Sequence, residues 1–220
     1  MDNFWPKYWF SILVLVQIFT GIVASVTDIF LFKISVAALG SIALLLVYRG
    51  ELLKIIDVWI IILAFVCSMI GDYFLSHMLG DTTFFIIGIS FYLLAHIGYL
   101  IFSLLNGAIY WKGTIGLTLV FLVFFYLALY PTLDDKTLAF MVLFYLLVSC
   151  ASLGAALGIK AIPAVKWPYV FGIILILFSD TIISLKEFVA YDSFNFLILP
   201  TYYMAQIAIT IALFNKSKVA

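Results

Sequence analysis

Residues 55–77 read IIDVWIIILAFVCSMIGDYFLSH. From Val58 to Gly71 there is no charged side chain, and the run then meets Asp72. An α-helix rises 1.5 Å per residue, so roughly 20 apolar residues span the hydrocarbon core of a bilayer. This stretch is long enough to do so, and it places a carboxylate inside the span rather than beyond it. Similar runs recur along the chain. Of the 220 residues, 67% are hydrophobic and only 10% charged, and the mean hydropathy is +1.28. A soluble domain carries about 25% charged residues, so the composition specifies a polytopic, all-α membrane protein. The 11 basic and 11 acidic residues balance, which gives no signal for a nucleic-acid partner. Cys67 and Cys150 both lie within apolar runs and read as small core residues, not as a disulfide or a metal site. The opening MDNFWPKYWF lacks a basic leader and a small-residue cleavage site, so the first helix is expected to be retained.

Eight spans are expected, at 8–26, 29–48, 55–77, 83–105, 113–130, 137–158, 166–186 and 194–214, forming a single integral membrane domain over 1–220. Turn and breaker residues fill the short connectors, as in HMLGDTT, YPTLDDK and GIKAIPAVKWP. The basic residues divide unevenly between the two sides. Lys7, Arg49, Lys54, Lys112, Lys160, Lys166, Lys216 and Lys218 share one side, and Lys33, Lys136 and Lys186 the other, eight against three. Asp28, Asp81, Asp134, Asp135, Glu187 and Asp192 also fall on the second side. The positive-inside rule then puts both termini in the cytoplasm.

Within the spans, a charge at the bilayer centre costs about 2.5–3.5 kcal/mol on insertion scales, so each one needs a reason. The candidates are Lys33, Asp72, His96 and Asp180. Asp57 and His77 sit at helix ends and read as interfacial. SMIGDYFLS around Asp72 resembles LILFSDTIIS around Asp180, and YLLAHIGYL in the next helix resembles YYMAQIAIT. Asp180 follows Asp72 by 108 residues and Gln206 follows His96 by 110, which is half the chain. Two parallel four-helix repeats, 1–110 and 111–220, are the expectation.

Helical spacing sharpens the pattern. Ser68 and Asp72 share a face at i, i+4, as do Tyr92 and His96, and Tyr202 and Gln206. Side chains lean toward the helix N-terminus. In antiparallel neighbours the aspartates and the His or Gln therefore lean toward one level, which pairs Asp72 with His96 and Asp180 with Gln206. Lys33 starts near that level. The plainer readings are that the aspartates lock helices together, that His96 is a satisfied core residue, and that Lys33 snorkels to the interface.

These same residues carry a family resemblance. SMIGDYFL, FFIIGISFYLLAHIGYL, LFSDTII and TYYMAQ resemble, in order and at compatible separations, the signatures of the YhhN-like lysoplasmalogenase family, integral membrane proteins of bacteria and animals. The second span departs from the family pattern: LFKIS has Lys33 but lacks the proline that often follows. The resemblance implies hydrolysis of the vinyl-ether bond of a lysoplasmalogen, a lysophospholipid drawn from the bilayer, to a fatty aldehyde and glycerophospho-ethanolamine or glycerophospho-choline. It implies no metal and no organic cofactor, and a place in a bacterial inner membrane.

The chemistry suits two carboxylates. Protonation of the vinyl carbon leaves an oxocarbenium ion that water attacks, as in glycoside hydrolysis, where one carboxyl group donates the proton and the other stabilises the cation or activates water. Asp72 and Asp180 are the expected catalytic residues, with the division of roles open. Ser68, Tyr92, His96, Tyr202 and Gln206 are expected to support them, and Lys33 to meet the substrate phosphate or tune an aspartate. A lipid or small-molecule transporter using the same aspartates is the alternative, and a non-catalytic membrane subunit is a third reading. There are two histidines in the chain, too few for the usual His-rich metal hydrolase, and no Gly-x-Ser-x-Gly elbow.

Overall fold

A computed structural model describes residues 4–27, 29–50 and 55–219, with side chains from Tyr8 onward. Eight helices run through it: α1 Phe4–Thr27, α2 Phe30–Val47, α3 Ile56–Ser76, α4 Thr82–Leu105, α5 Trp111–Phe124, α6 Lys136–Leu157, α7 Pro163–Val189 and α8 Ile198–Lys216. Each is an apolar segment long enough to cross a bilayer, counting for α5 and α8 the turns that extend them. The protein is an all-α membrane protein, as its composition specifies. Asp28, Lys54 and the Lys7 side chain, which enter the charge asymmetry between the two sides, lie outside the described residues.

Local chemistry sets the helix ends. Asp81 and Asp135 cap α4 and α6, each accepting a 2.7 Å hydrogen bond from the amide two residues on, at Thr83 and Thr137. Helix α5 passes into a π turn, Phe125–Leu129, and a 3-10 turn, Tyr130–Thr132, around Pro131. Helix α7 starts on Pro163, three residues earlier than expected from the sequence, and holds Pro168 in its second turn. Pro168 has no N–H for the Ala164 carbonyl. Asn215 of α8 replaces it, donating Nδ2 to that oxygen at 2.9 Å. At its other end α7 closes on Ala190 in the left-handed conformation, φ 55°, with the Tyr191 amide donating to Leu185 O at 3.1 Å.

The tightest helix pairs are α3 with α4 and α7 with α8; α2 packs on α3 and α8, α6 on α4 and α7, and α5 mainly on α6. Close approach of α3 and α4 depends on small residues. A Cβ on Gly71 would lie 3.2 Å from the Gly88 carbonyl, and one on Gly88 would lie 2.8 Å from Leu75. Elsewhere the α4–α5 and α6–α7 connectors touch through Gly107 and Ile159. A Cβ on Gly158 would fall 1.5 Å from the Ala108 carbonyl, which no side chain tolerates. The central core joins Leu44, Phe65, Tyr99, Phe102, Tyr169, Ile173, Ile209 and Leu213. Outward faces carry Leu15, Phe19 and Ile22 on α1 and Leu119, Val120 and Val123 on α5, a surface suited to lipid rather than water.

Asp57 does more than sit at an interface. Lys216 of α8 pairs with it, Asn106 Nδ2 donates to it at 3.0 Å, and Lys216 also donates to Asn106 Oδ1 at 2.7 Å. This cluster ties α3, α4 and α8 at the end of the bundle opposite Asp72. His77 is exposed at the end of α3, as its position implied. Cys67 and Cys150 are free thiols within the helices.

Candidate functional site

Asp72 lies one turn before the end of α3 and is 7% exposed. Its Oδ1 accepts a hydrogen bond from the Tyr92 hydroxyl on α4, and its Oδ2 accepts one from Tyr202 on α8 at 3.3 Å. The two phenol rings meet edge to face, 5.9 Å between centroids. Asp180, on α7, receives both of its bonds on one oxygen: His96 Nε2 and the Tyr145 hydroxyl each lie 2.8 Å from Oδ2. Next to it, Ser179 donates to the Ile198 carbonyl at 3.0 Å and so fixes α7 against the start of α8.

Both carboxylates line one cavity of about 150 Å³, together with Lys33, Tyr92, Ser179 and Tyr202. Its mouth carries Ser76 and Met78 from the end of α3, and the Lys186–Glu187 ion pair, 2.9 Å, from the last turn of α7. Lys33 therefore belongs to the cavity wall, and it stands within electrostatic reach of Asp72. Ser68, one turn below Asp72, is buried beside the hydroxyls of Tyr99 and Tyr202.

The pairing runs crosswise to the expectation from spacing. His96 meets Asp180, not Asp72, because α4 packs against both α3 and α6, and the turn carrying His96 faces α6 and α7. Tyr92, one turn nearer the helix start, takes Asp72 instead. Gln206 meets neither aspartate. It is fully buried one turn beyond Tyr202, and its amide has no hydrogen-bond partner among the described residues. The i, i+4 relation placed each pair of polar residues on one helix face correctly but could not say which neighbour that face meets.

Tyr145 escaped the sequence reading. Tyr92 and Tyr202 stand out in the sequence because each shares a face with His96 or Gln206 beside the repeated motifs, and Tyr145 lies in a helix that carries no such motif. Tyr145 stands in the tenth position of the 22-residue α6, well away from either interface. That depth is the signal that singles it out. Tyr99 also joins the cluster, its ring edge to face with His96 at 6.1 Å. Among the described residues, no three His, Cys, Asp or Glu side chains come together as a metal-ligand group.

The arrangement holds two carboxyl groups of different surroundings against one small cavity that opens toward a helix end. Such a site can give a proton from one group and hold an anion at the other. Neither the curated proteins nor the solved structures include a match close enough to compare. The sequence model of the YhhN family matches residues 29–213, a range that takes in every residue of this cavity, and the chain belongs to that family.

Proposed function

We propose that this protein is a membrane hydrolase that cleaves the vinyl-ether bond of a lysoplasmalogen, releasing a fatty aldehyde and a glycerophospho-ethanolamine or glycerophospho-choline. The observation that carries this reading is the pair of buried carboxylates, Asp72 and Asp180, on one cavity wall. The reaction divides between them. One carboxyl group gives its proton to the outer vinyl carbon, whose π electrons form the new C–H bond and leave an oxocarbenium ion. The other, as a carboxylate, faces that cation and takes a proton from the attacking water, which yields a hemiacetal. On collapse, the first carboxylate removes the hemiacetal hydroxyl proton and the second returns its proton to the departing glycerol oxygen. Both groups are restored, and one water has been added. General acid and base groups of this kind contribute about 10²–10⁴-fold each.

The other cavity groups have roles consistent with this. Lys33 supplies positive charge on the cavity wall, suited to the lipid phosphate, and the apolar outer faces of the helices give the alkenyl tail a route from the bilayer. The membrane is a bacterial inner membrane on this reading, with both chain ends on the cytoplasmic side. The carrier alternative is less well supported, because discontinuous helices commonly build a transport site and α3, α4, α7 and α8 run unbroken through this one.

Aldehyde release from a vinyl-ether lysolipid, with its saturated-ether analogue as control, tests the proposal. The protein should consume the first and leave the second. Asp72→Asn and Asp180→Asn should each lower turnover by about 100-fold or more. Near-normal turnover in either folded variant, or uptake of the lipid without chemical change, would sink it.

A further inference from the structure

We infer that Tyr145 and His96 are positioning residues that hold Asp180 as the anion of the pair, and that Asp72 is the proton donor. The inference rests on the hydrolase reading and adds the division of labour within it. Two carboxyl groups on one small cavity repel if both ionise, which favours one keeping its proton even with Lys33 and the Lys186–Glu187 pair on the same wall. The hydrogen bonds decide which.

Asp180 Oδ2 already receives two donors at 2.8 Å, from His96 Nε2 and the Tyr145 hydroxyl. A proton on that oxygen would displace one of them, and a proton on Oδ1 would leave Oδ2 a weaker acceptor for both. His96 cannot turn into an acceptor at no cost. It is 1% exposed, and its Nδ1 faces no protein acceptor among the described residues. The tautomer with hydrogen on Nδ1, or the doubly protonated ring, would bury an unpaired N–H. The neutral ring with hydrogen on Nε2 leaves only a bare nitrogen there, and it donates to Asp180. His96 is thus an obligate donor, and its bond is stronger to a carboxylate than to a neutral acid.

Asp72 has partners of another kind. Its bonds are split between its oxygens and come from two phenol hydroxyls, Tyr92 and Tyr202. A hydroxyl rotates to donate or accept, so either state of Asp72 is satisfied. Lys33 on the same cavity wall offsets the negative charge that Asp72 acquires when its proton leaves. The two carboxyl groups thus differ in what surrounds them. Asp180 sits in a donor cage, and Asp72 sits in a shell that tolerates both states.

A charged analogue reads this directly. The probe is a lysolipid in which a secondary ammonium replaces the vinyl-ether oxygen, compared with its uncharged saturated-ether isostere. Binding of each to the purified full chain in lipid nanodiscs is measured by calorimetry. Wild type and Asp72→Asn should bind the ammonium probe at least tenfold more tightly than the ether. Asp180→Asn should reduce that preference to twofold or less. Tyr145→Phe should reduce it to an intermediate value and lower kcat about tenfold, with the affinity for the ether unchanged. Tyr169→Phe is the control, because that equally buried hydroxyl donates to the Tyr99 carbonyl at 2.9 Å, away from the cavity, and it should keep the wild-type preference. The inference is overturned if wild type shows no preference, if Asp180→Asn retains it, if Asp72→Asn loses it, or if Tyr145→Phe behaves as wild type. Failure of the hydrolase reading looks different: no aldehyde from the vinyl-ether lipid, whatever the charge preference.

Discussion

Residue by residue, the site is a matter of which hydroxyl or imidazole reaches which carboxylate oxygen. Tyr92 donates to Asp72 Oδ1 and stacks edge to face on Tyr202, the second donor. Removing its hydroxyl leaves Asp72 with one long bond and opens space beside the reacting group. Tyr92→Phe should therefore lower turnover about tenfold, in the range of one charge-assisted hydrogen bond of about 1.5 kcal/mol. Gln206→Leu should leave turnover within about twofold, even though its sequence position mirrors that of His96. Its amide touches neither aspartate and has no partner to lose among the described residues, so replacing it by an apolar group of similar size removes no bond. Steady-state kinetics of the two variants side by side would separate the paired residue from the one that only matches the pattern.

Among the helices, the site depends on how closely α3 and α4 approach. Gly71 and Gly88 face each other across that interface directly beside Asp72 and Tyr92. A leucine at position 88 would meet Leu75, and the helices would have to separate. Overpacking of this kind costs about 1–3 kcal/mol. Gly88→Leu should lower the melting temperature and also reduce turnover, because any separation moves Tyr92 away from Asp72. A variant that keeps full activity with a lowered melting temperature would show that the α3–α4 spacing does not set the site. The expectation of two four-helix halves rests on the 108- and 110-residue separations in the sequence. The site chemistry is not symmetric, however: Asp72 is held by two tyrosines, and Asp180 by a histidine and a tyrosine from α4 and α6.

Across the whole molecule, orientation in the membrane decides which compartment the cavity mouth faces. The mouth shares its end of the bundle with Met78 and the α3–α4 turn, where Leu79 is 98% exposed. Val219 lies at the opposite end, beyond the Asp57–Asn106–Lys216 cluster, and is 60% exposed. With Cys67 and Cys150 replaced by alanine, Leu79→Cys should react with an impermeant maleimide from outside intact cells. Val219→Cys should react only after permeabilisation. The reverse pattern would overturn the eight-to-three basic-residue argument for cytoplasmic termini.

The sequence by itself determined the number of helices, their boundaries to within a few residues, and the ionisable groups that the membrane makes costly. These follow from length, apolar content and capping residues, which act locally along the chain. It also placed Asp72 with Ser68 and Tyr92 with His96 on shared faces, because helical periodicity is local too. Only the tertiary structure decided that His96 belongs to Asp180, that Tyr145 completes that carboxylate's donor cage, that Gln206 stands apart, and that Lys216 closes on Asp57. Each of these contacts joins helices by lateral order and rotation about their axes. In a bundle those are set by side-chain packing and small-residue contacts between distant segments, which no single helix carries in its own periodicity.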